Sequence, residues 1–110
     1  MGFDIIIKNG EVIDGSGNKS FIGDIAIKGN KIALIKDNIT DSANTIIDAT
    51  GNIVSPGFID PHSHNDGYIF YDPTNSYKLF QGVTTEISGN CGEGLTPISK
   101  KYFNEISEYY

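Results

Sequence analysis

The stretch SPGFIDPHSHNDGYIFYDPTNSYKLFQGVTTEISGNCG, residues 55–92, reads as a strand, a helix and a second strand. Gly57 to Asp60 reads as a buried strand that runs out at Pro61, because a proline inside a doubly paired strand deletes a ladder hydrogen bond. Asp72-Pro73 offers an N-cap and a first-turn proline, Tyr77 to Phe80 a helix body, and Gly82 a terminating glycine. Val83 to Ile87, rich in β-branched residues, returns as a strand ending in Gly89-Asn90-Cys91-Gly92. Such a β-α-β unit implies a parallel sheet with a right-handed crossover. Beyond it, Thr96-Pro97 is expected to open a second helix with Ile98, Tyr102 and Ile106 on one face. That helix reaches Tyr110 with no cap or glycine, so a truncated chain is expected.

Upstream, the pattern is one of strands and turns. Asp4 to Lys8 is a β-branched run ended by Asn9-Gly10, and residues 14–18 form a turn cluster. In DIAIKGNKIALI, residues 24–35, Gly29-Asn30 separates two alternating segments and suits a two-residue hairpin. Pairing Lys28 with Lys31 sets Ile27 opposite Ile32 and Ile25 opposite Leu34 on one face, with Ala26 and Ala33 on the other. The expectation is an antiparallel sheet with its isoleucine face buried. Thr45 to Asp48 and Asn52 to Val54 read as two further short strands, and no helix signal precedes residue 70. The character of the sequence changes at Ser55-Pro56-Gly57, which divides residues 1–55 from residues 56–110.

With 110 residues, the chain is too short for a complete eight-stranded α/β barrel, which takes about 250. Its formal charge of -6, from 14 carboxylates against eight lysines, gives no basic footprint for nucleic acid. One cysteine cannot form an intrachain disulfide, and the start MGFDIIIKNGEV lacks the layout of a signal peptide. No apolar stretch approaches the length of a membrane span. A soluble cytoplasmic protein, without nucleic-acid or membrane partners, is expected.

Both histidines lie in Asp60-Pro61-His62-Ser63-His64-Asn65-Asp66. Residues two apart in extended backbone point to the same side, so His62 and His64 would project together and could grip one metal ion. Two exposed loop histidines with ordinary hydrogen bonds are the alternative. Cys91 lies among Gly89, Gly92 and Gly94, where little apolar surface is on offer, although a free cysteine is usually a small buried hydrophobe. It ends the strand one crossover after the histidine strand. In a barrel sheet both ends face one pocket, where a thiolate and two imidazoles form a soft, zinc-type set. Three such ligands leave a metal position open for chemistry. The glycines offer an anion-holding nest as an alternative. Asp60 shares the parity of the histidines and could orient an imidazole or cap strand-end amides, and Asp66 is a weaker candidate of the same kind. Tyr68, Phe70 and Tyr71 read as a lid or as packing, and Lys100 and Lys101 as a solvated helix face.

These residues carry a resemblance. PGFIDPHSHND, residues 56–66, after a short β-rich start, resembles the amidohydrolase superfamily, whose metal site begins with His-x-His at the end of the first barrel strand. QGVTTEISGNCGEGLTPIS, residues 81–99, resembles the D-aminoacylase branch, the N-acyl-D-amino-acid deacylases. In that branch a cysteine in a GNCG turn replaces the carboxylated lysine that bridges the metals of hydantoinases. NGEVIDGSG, residues 9–17, is similar to the family's first strands.

The resemblance implies a fold in which residues 1–55 are part of a composite β-sandwich and residues 56–110 begin a metal-dependent hydrolase (β/α)8 barrel with its first two β/α units. It implies His62, His64 and Cys91 as ligands of one or two zinc ions. Two further histidines, the catalytic aspartate and the substrate-carboxylate grips are implied beyond Tyr110, so that no catalytic residue lies in this chain and the chain alone is inactive. The activity implied is hydrolysis of small-molecule N-acyl-D-amino acids, with zinc polarising the amide carbonyl and lowering the pKa of water toward 7. The alternatives are a non-catalytic fragment that self-associates through unpaired strand edges and a hydantoinase-like hydrolase of cyclic amides.

Overall fold

The computed structural model describes residues 2–94 and 97–109, without the side chains of residues 106, 107 and 109. The chain divides between Pro56 and Gly57 into two compact units.

The first unit is a five-stranded mixed sheet. β1 (Phe3–Val12), β2 (Phe21–Lys28), β3 (Lys31–Lys36) and β4 (Ala43–Asp48) lie in the order β3-β2-β1-β4, and β5 (Ile53–Val54) also pairs with β1. β1 is antiparallel to β2 but parallel to β4 and β5, so the sheet is not purely antiparallel as expected. Thr50-Gly51-Asn52 is the turn between two strands that both run parallel to β1. It carries the chain from beside Lys8 to beside Glu11 along the same edge of β1, with Gly51 at φ 75° and Asn52 N–H bonded to Ala49 C=O at 2.8 Å. Asn9-Gly10 does not end the first strand either. Asn9 takes φ 61°, the register with β2 shifts between Ile7 and Gly10, and the strand continues to Val12. This is a bulge, with the extra residue in the left-handed region that asparagine tolerates.

A second bulge changes the hairpin register. Lys28 pairs with Lys31 and Ile27 with Ile32 as expected, but Ala26 then pairs with Leu34 and Ile25 with Ile35. Ala33 is the extra residue, and beyond it every β3 side chain changes faces. Ile6, Ala26 and Ile39 are buried together in the core cluster, with Phe3 and Ala43 packed against it, and Val12, Ile25 and Ala49 are buried as well. The alanine face is thus the closed one. The isoleucine face, with Ile7, Ile25, Ile27, Ile32 and Ile35, lines an open apolar hollow of about 330 Å³.

The second unit carries β6 (Phe58–Asp60) and β7 (Val83–Glu86), which pair in parallel, with α1 (Ser76–Leu79) between them and α2 (Phe103–Tyr109) after them. A 3-10 turn at Tyr68–Phe70 slightly precedes the expected start of helical structure. β6 is not buried as expected, since Phe58 and Ile59 stay well exposed on this two-stranded sheet. Asp72 does not cap α1 directly. Its carboxylate accepts Ser76 N–H and Oγ at 2.7 Å and Thr74 Oγ1 at 2.5 Å, which builds a turn ahead of the helix and leaves Asn75 as N-cap at φ 49°. These donors hold the Asp72 carboxyl below the usual carboxylate range. Gly82 ends the helix as expected, at φ 81° with its N–H on Leu79 C=O.

α2 begins at Phe103, seven residues after the expected start. Thr96 and the side chain of Ile106 lie outside the described residues, and Pro97 to Tyr102 is turn rather than helix.

Gly57 is needed for the approach of β6 to β7. A Cβ there would lie 2.1 Å from Thr84 Oγ1 and 2.7 Å from Thr84 Cβ. Gly57→Ala is expected to cost about 1–2 kcal/mol through overpacking. A double variant with Thr84→Gly should be less destabilised than the sum of the single changes. Near-UV circular dichroism reads this unit selectively, because every tyrosine of the chain lies beyond Pro56.

Candidate metal centre

The two strands of the second unit end together. Asp60 and Glu86 pair in register at the C-terminal ends of β6 and β7, so the segments that follow, 61–67 and 87–94, leave the sheet from the same end. Two hydrogen bonds tie these segments to each other. Asp66 Oδ1 accepts Gly89 N–H at 2.6 Å, and Asn90 Nδ2 donates to Ser63 C=O at 3.3 Å. A third contact is made by the candidate ligands themselves, Cys91 Sγ lying 3.4 Å from His62 Nε2.

His62, His64 and Cys91 each offer a donor atom, and the three atoms lie within 4.8 Å of one another. All three residues are exposed. The imidazole centroids of His62 and His64 are 5.3 Å apart in an edge-on arrangement. His64 Nδ1 also faces Glu93 Oε2 at 3.2 Å. Cys91 sits at φ 56°, between Gly89 at φ 80° and Gly92 at φ 80°. A left-handed backbone disfavours a residue with a Cβ by about 1–2 kcal/mol, and such strain concentrates at functional sites. Here it turns the thiol toward the histidines.

Asp60 and Asp66, the other candidates, hold backbone. Asp66 bonds Gly89 as described. Asp60 Oδ1 accepts His62 N–H at 3.2 Å, and Oδ2 pairs with Lys78 Nζ from α1. Lys78 and the His62 amide keep the Asp60 carboxyl below its ordinary range, and Asp60 in turn raises the Lys78 ammonium. The aromatic residues pack: Tyr68 stacks edge-on against Tyr77 at 4.9 Å and lies 6.3 Å from Tyr71. Glu86, Lys78, Asn65 and Asn75 form a polar network below the histidine loop that the sequence reading missed. The one signal was a carboxylate inside an otherwise β-branched run, VTTEI.

The family model described as the amidohydrolase family matches residues 45–102, just over half of the chain. The chain belongs to the amidohydrolase family. It is 40% identical to the D-aminoacylase of Alcaligenes xylosoxydans xylosoxydans over 97 residues, 88% of this chain and 20% of that protein. It is 52% identical to the allantoinase of Salmonella choleraesuis (strain SC-B67) over 106 residues, 96% of this chain and 21% of that one. Among solved structures it resembles the N-acyl-D-glutamate deacylase of Bordetella bronchiseptica, in complex with zinc and a phosphonate mimic of the tetrahedral intermediate. The TM-score is 0.82 at 37% identity, over 88% of this chain and 20% of that one. The resemblance to the D-aminoacylase branch thus extends over most of the chain. This amidohydrolase chain spans about a fifth of the length of the relatives it matches. Among its described residues no helix is long and apolar enough to cross a membrane.

Proposed function

We propose that this chain contributes the first part of the metal centre of a zinc-dependent hydrolase that cleaves N-acyl-D-amino acids to a carboxylate and the free D-amino acid. The carrying observation is the convergence of His62, His64 and Cys91 donor atoms within 4.8 Å at the shared end of two parallel strands. Two imidazoles and a thiolate suit zinc in both softness and ligand type. A set of three leaves room for further ligands and for substrate. The zinc complex of the deacylase relative supports the same choice of metal.

When bound, zinc supplies Lewis acidity that polarises an amide carbonyl and makes water more acidic. The chain's own residues bind and orient. His62 and His64 leave the end of β6 on one loop, Cys91 leaves the end of β7 on another, and Asp66 and Asn90 hold the two loops in fixed relation. In this reading the first unit is part of a β-sandwich, and the second supplies the opening β/α units of a (β/α)8 barrel. The remaining ligands and the proton-transferring carboxylate come from segments beyond Tyr110.

A second reading, hydrolysis of a cyclic amide, draws support from the 52% identity to an allantoinase. One panel separates the two. The intact protein, assayed with N-acetyl-D-amino acids, their L-enantiomers, hydantoin and allantoin, is expected to turn over the D-series. Turnover confined to the ring substrates would transfer the assignment to the second reading.

A further inference from the structure

We propose that Glu86 is a positioning residue of the metal centre, holding the loop that carries His62 and His64 through Ser63 and Asn65. The inference rests on the metal-site reading above and adds a residue to it.

The loop between Pro61 and Asp66 belongs to no strand or helix, so its geometry depends on side-chain anchors. Glu86 supplies the two on either side of His64. Its Oε1 accepts from Ser63 Oγ, and its Oε2 accepts from Asn65 Nδ2 at 3.1 Å. Ser63 and Asn65 flank His64 directly, so the peptide units on both sides of that imidazole are fastened to one carboxylate. Asn75 Nδ2, from the N-cap of α1, donates to the same Oε2 at 3.1 Å, and Asn65 Nδ2 lies 3.4 Å from Asn75 Oδ1. Lys78 Nζ stands 3.6 Å from Glu86 Oε1 and pairs with Asp60, whose other oxygen holds the His62 amide.

Burial sets this group apart from a surface ion pair. The side chains of Lys78, Asp60 and Glu86 are only 13%, 21% and 17% exposed, whereas His62, His64 and Cys91 are exposed. Hydrogen bonds in so sheltered a place are less screened than at the surface. Glu86 accepts from three neutral donors and faces one cation, so its oxygens are taken up by the loop and by α1. It therefore acts through the histidines, as a carboxylate that fixes ligand orientation from behind the site.

The test uses the intact protein. Zinc affinity is measured by competition with a chromophoric chelator, and cobalt(II) replaces zinc to give a visible spectrum that reports coordination geometry and thiolate ligation. Glu86→Ala is expected to weaken zinc binding by about 10-fold or more, in the range seen when an orienting partner is lost. Its cobalt bands should broaden or lose intensity. Glu86→Gln keeps the shape but loses the charge and one acceptor, so it should weaken binding by a smaller factor; it decides the matter if the alanine variant does not fold. Glu86→Asp, which keeps the carboxylate one methylene shorter, should recover part of the affinity. Wild-type zinc affinity and an unchanged cobalt spectrum in the folded variants, even with a lowered melting temperature, would overturn the inference and leave Glu86 a stabilising residue only. Failure of the wild-type protein itself to bind zinc or cobalt would instead remove the metal-site reading.

Discussion

Replacing Cys91 with alanine in the intact protein is expected to remove bound zinc and hydrolytic turnover together, with zinc affinity falling at least about 100-fold. Loss of a mere orienting partner costs about 10- to 100-fold, and loss of a ligand atom costs more. The geometry makes compensation by neighbours difficult. The carboxylates of Asp60 and Asp66 are spent on the His62 amide with Lys78 and on the Gly89 amide. Alanine also keeps the burden of φ 56° at this position, so no relief of backbone strain offsets the lost donor. A Cys91→Asp variant separates ligand loss from loop damage. A carboxylate there restores a donor of harder character and should shift preference away from zinc toward manganese or magnesium. Zinc content by mass spectrometry and kcat/KM with an N-acetyl-D-amino acid, both within a few-fold of wild type in Cys91→Ala, would defeat the assignment.

The ligand candidates were legible in the sequence because their signals are local. His62 and His64 stand two apart just after a strand that Pro61 must end, and Cys91 stands among glycines just after the next strand. A parallel pairing then forces both ends to the same side, and β6 and β7 do pair that way. The supporting groups were not legible, because they depend on partners distant in the chain. Lys78 meets Asp60 across 18 residues, and Glu86 meets Ser63 across 23, contacts that no periodicity encodes. The sheet of the first unit was misjudged for a related reason. Alternation identified its strands, but one extra residue at Asn9 and another at Ala33 shifted the registers, and a shift of one residue exchanges the faces. Ile25, Ile27 and Ile32 keep the common face that alternation gave them, but Ile35 joins them there in place of Leu34, and that face borders the open hollow while Ala26 lies at the centre of the packed side.

Asp24→Ala is expected to destabilise the first unit by about 3–5 kcal/mol, a large part of the stability of a small domain. Asp24 is the one buried charged residue among those described, 1% exposed, and three groups depend on it. Its carboxylate accepts Asn9 N–H at 2.9 Å in the first bulge and Ile39 N–H at 2.8 Å, and faces Lys8 Nζ at 3.2 Å. Lys8 also donates to Ile39 C=O at 2.9 Å. The Ile39 peptide, in a loop with its side chain in the core, thus has both polar groups satisfied by one ion pair rather than by a strand. Removing the carboxylate strands two amides, each at a cost of about 1–3 kcal/mol when buried, and leaves Lys8 unpaired. Burial tends to raise the Asp24 carboxyl, but the Ile39 and Asn9 amides together with Lys8 outweigh it and hold the group below its ordinary value. Because the folded value is the lower one, the stabilisation is fully present above the unfolded value of about 3.9 and is lost as pH falls through the folded value. The isosteric Asp24→Asn variant should therefore lie well below wild type in melting temperature at pH 7, and the gap should close progressively below about pH 4. Amide exchange at Ile39 and Asn9, measured by NMR, localises the effect to this unit. A gap that stays constant from pH 7 to pH 3 would mean that Asp24 stabilises the sheet by its shape and not by its charge.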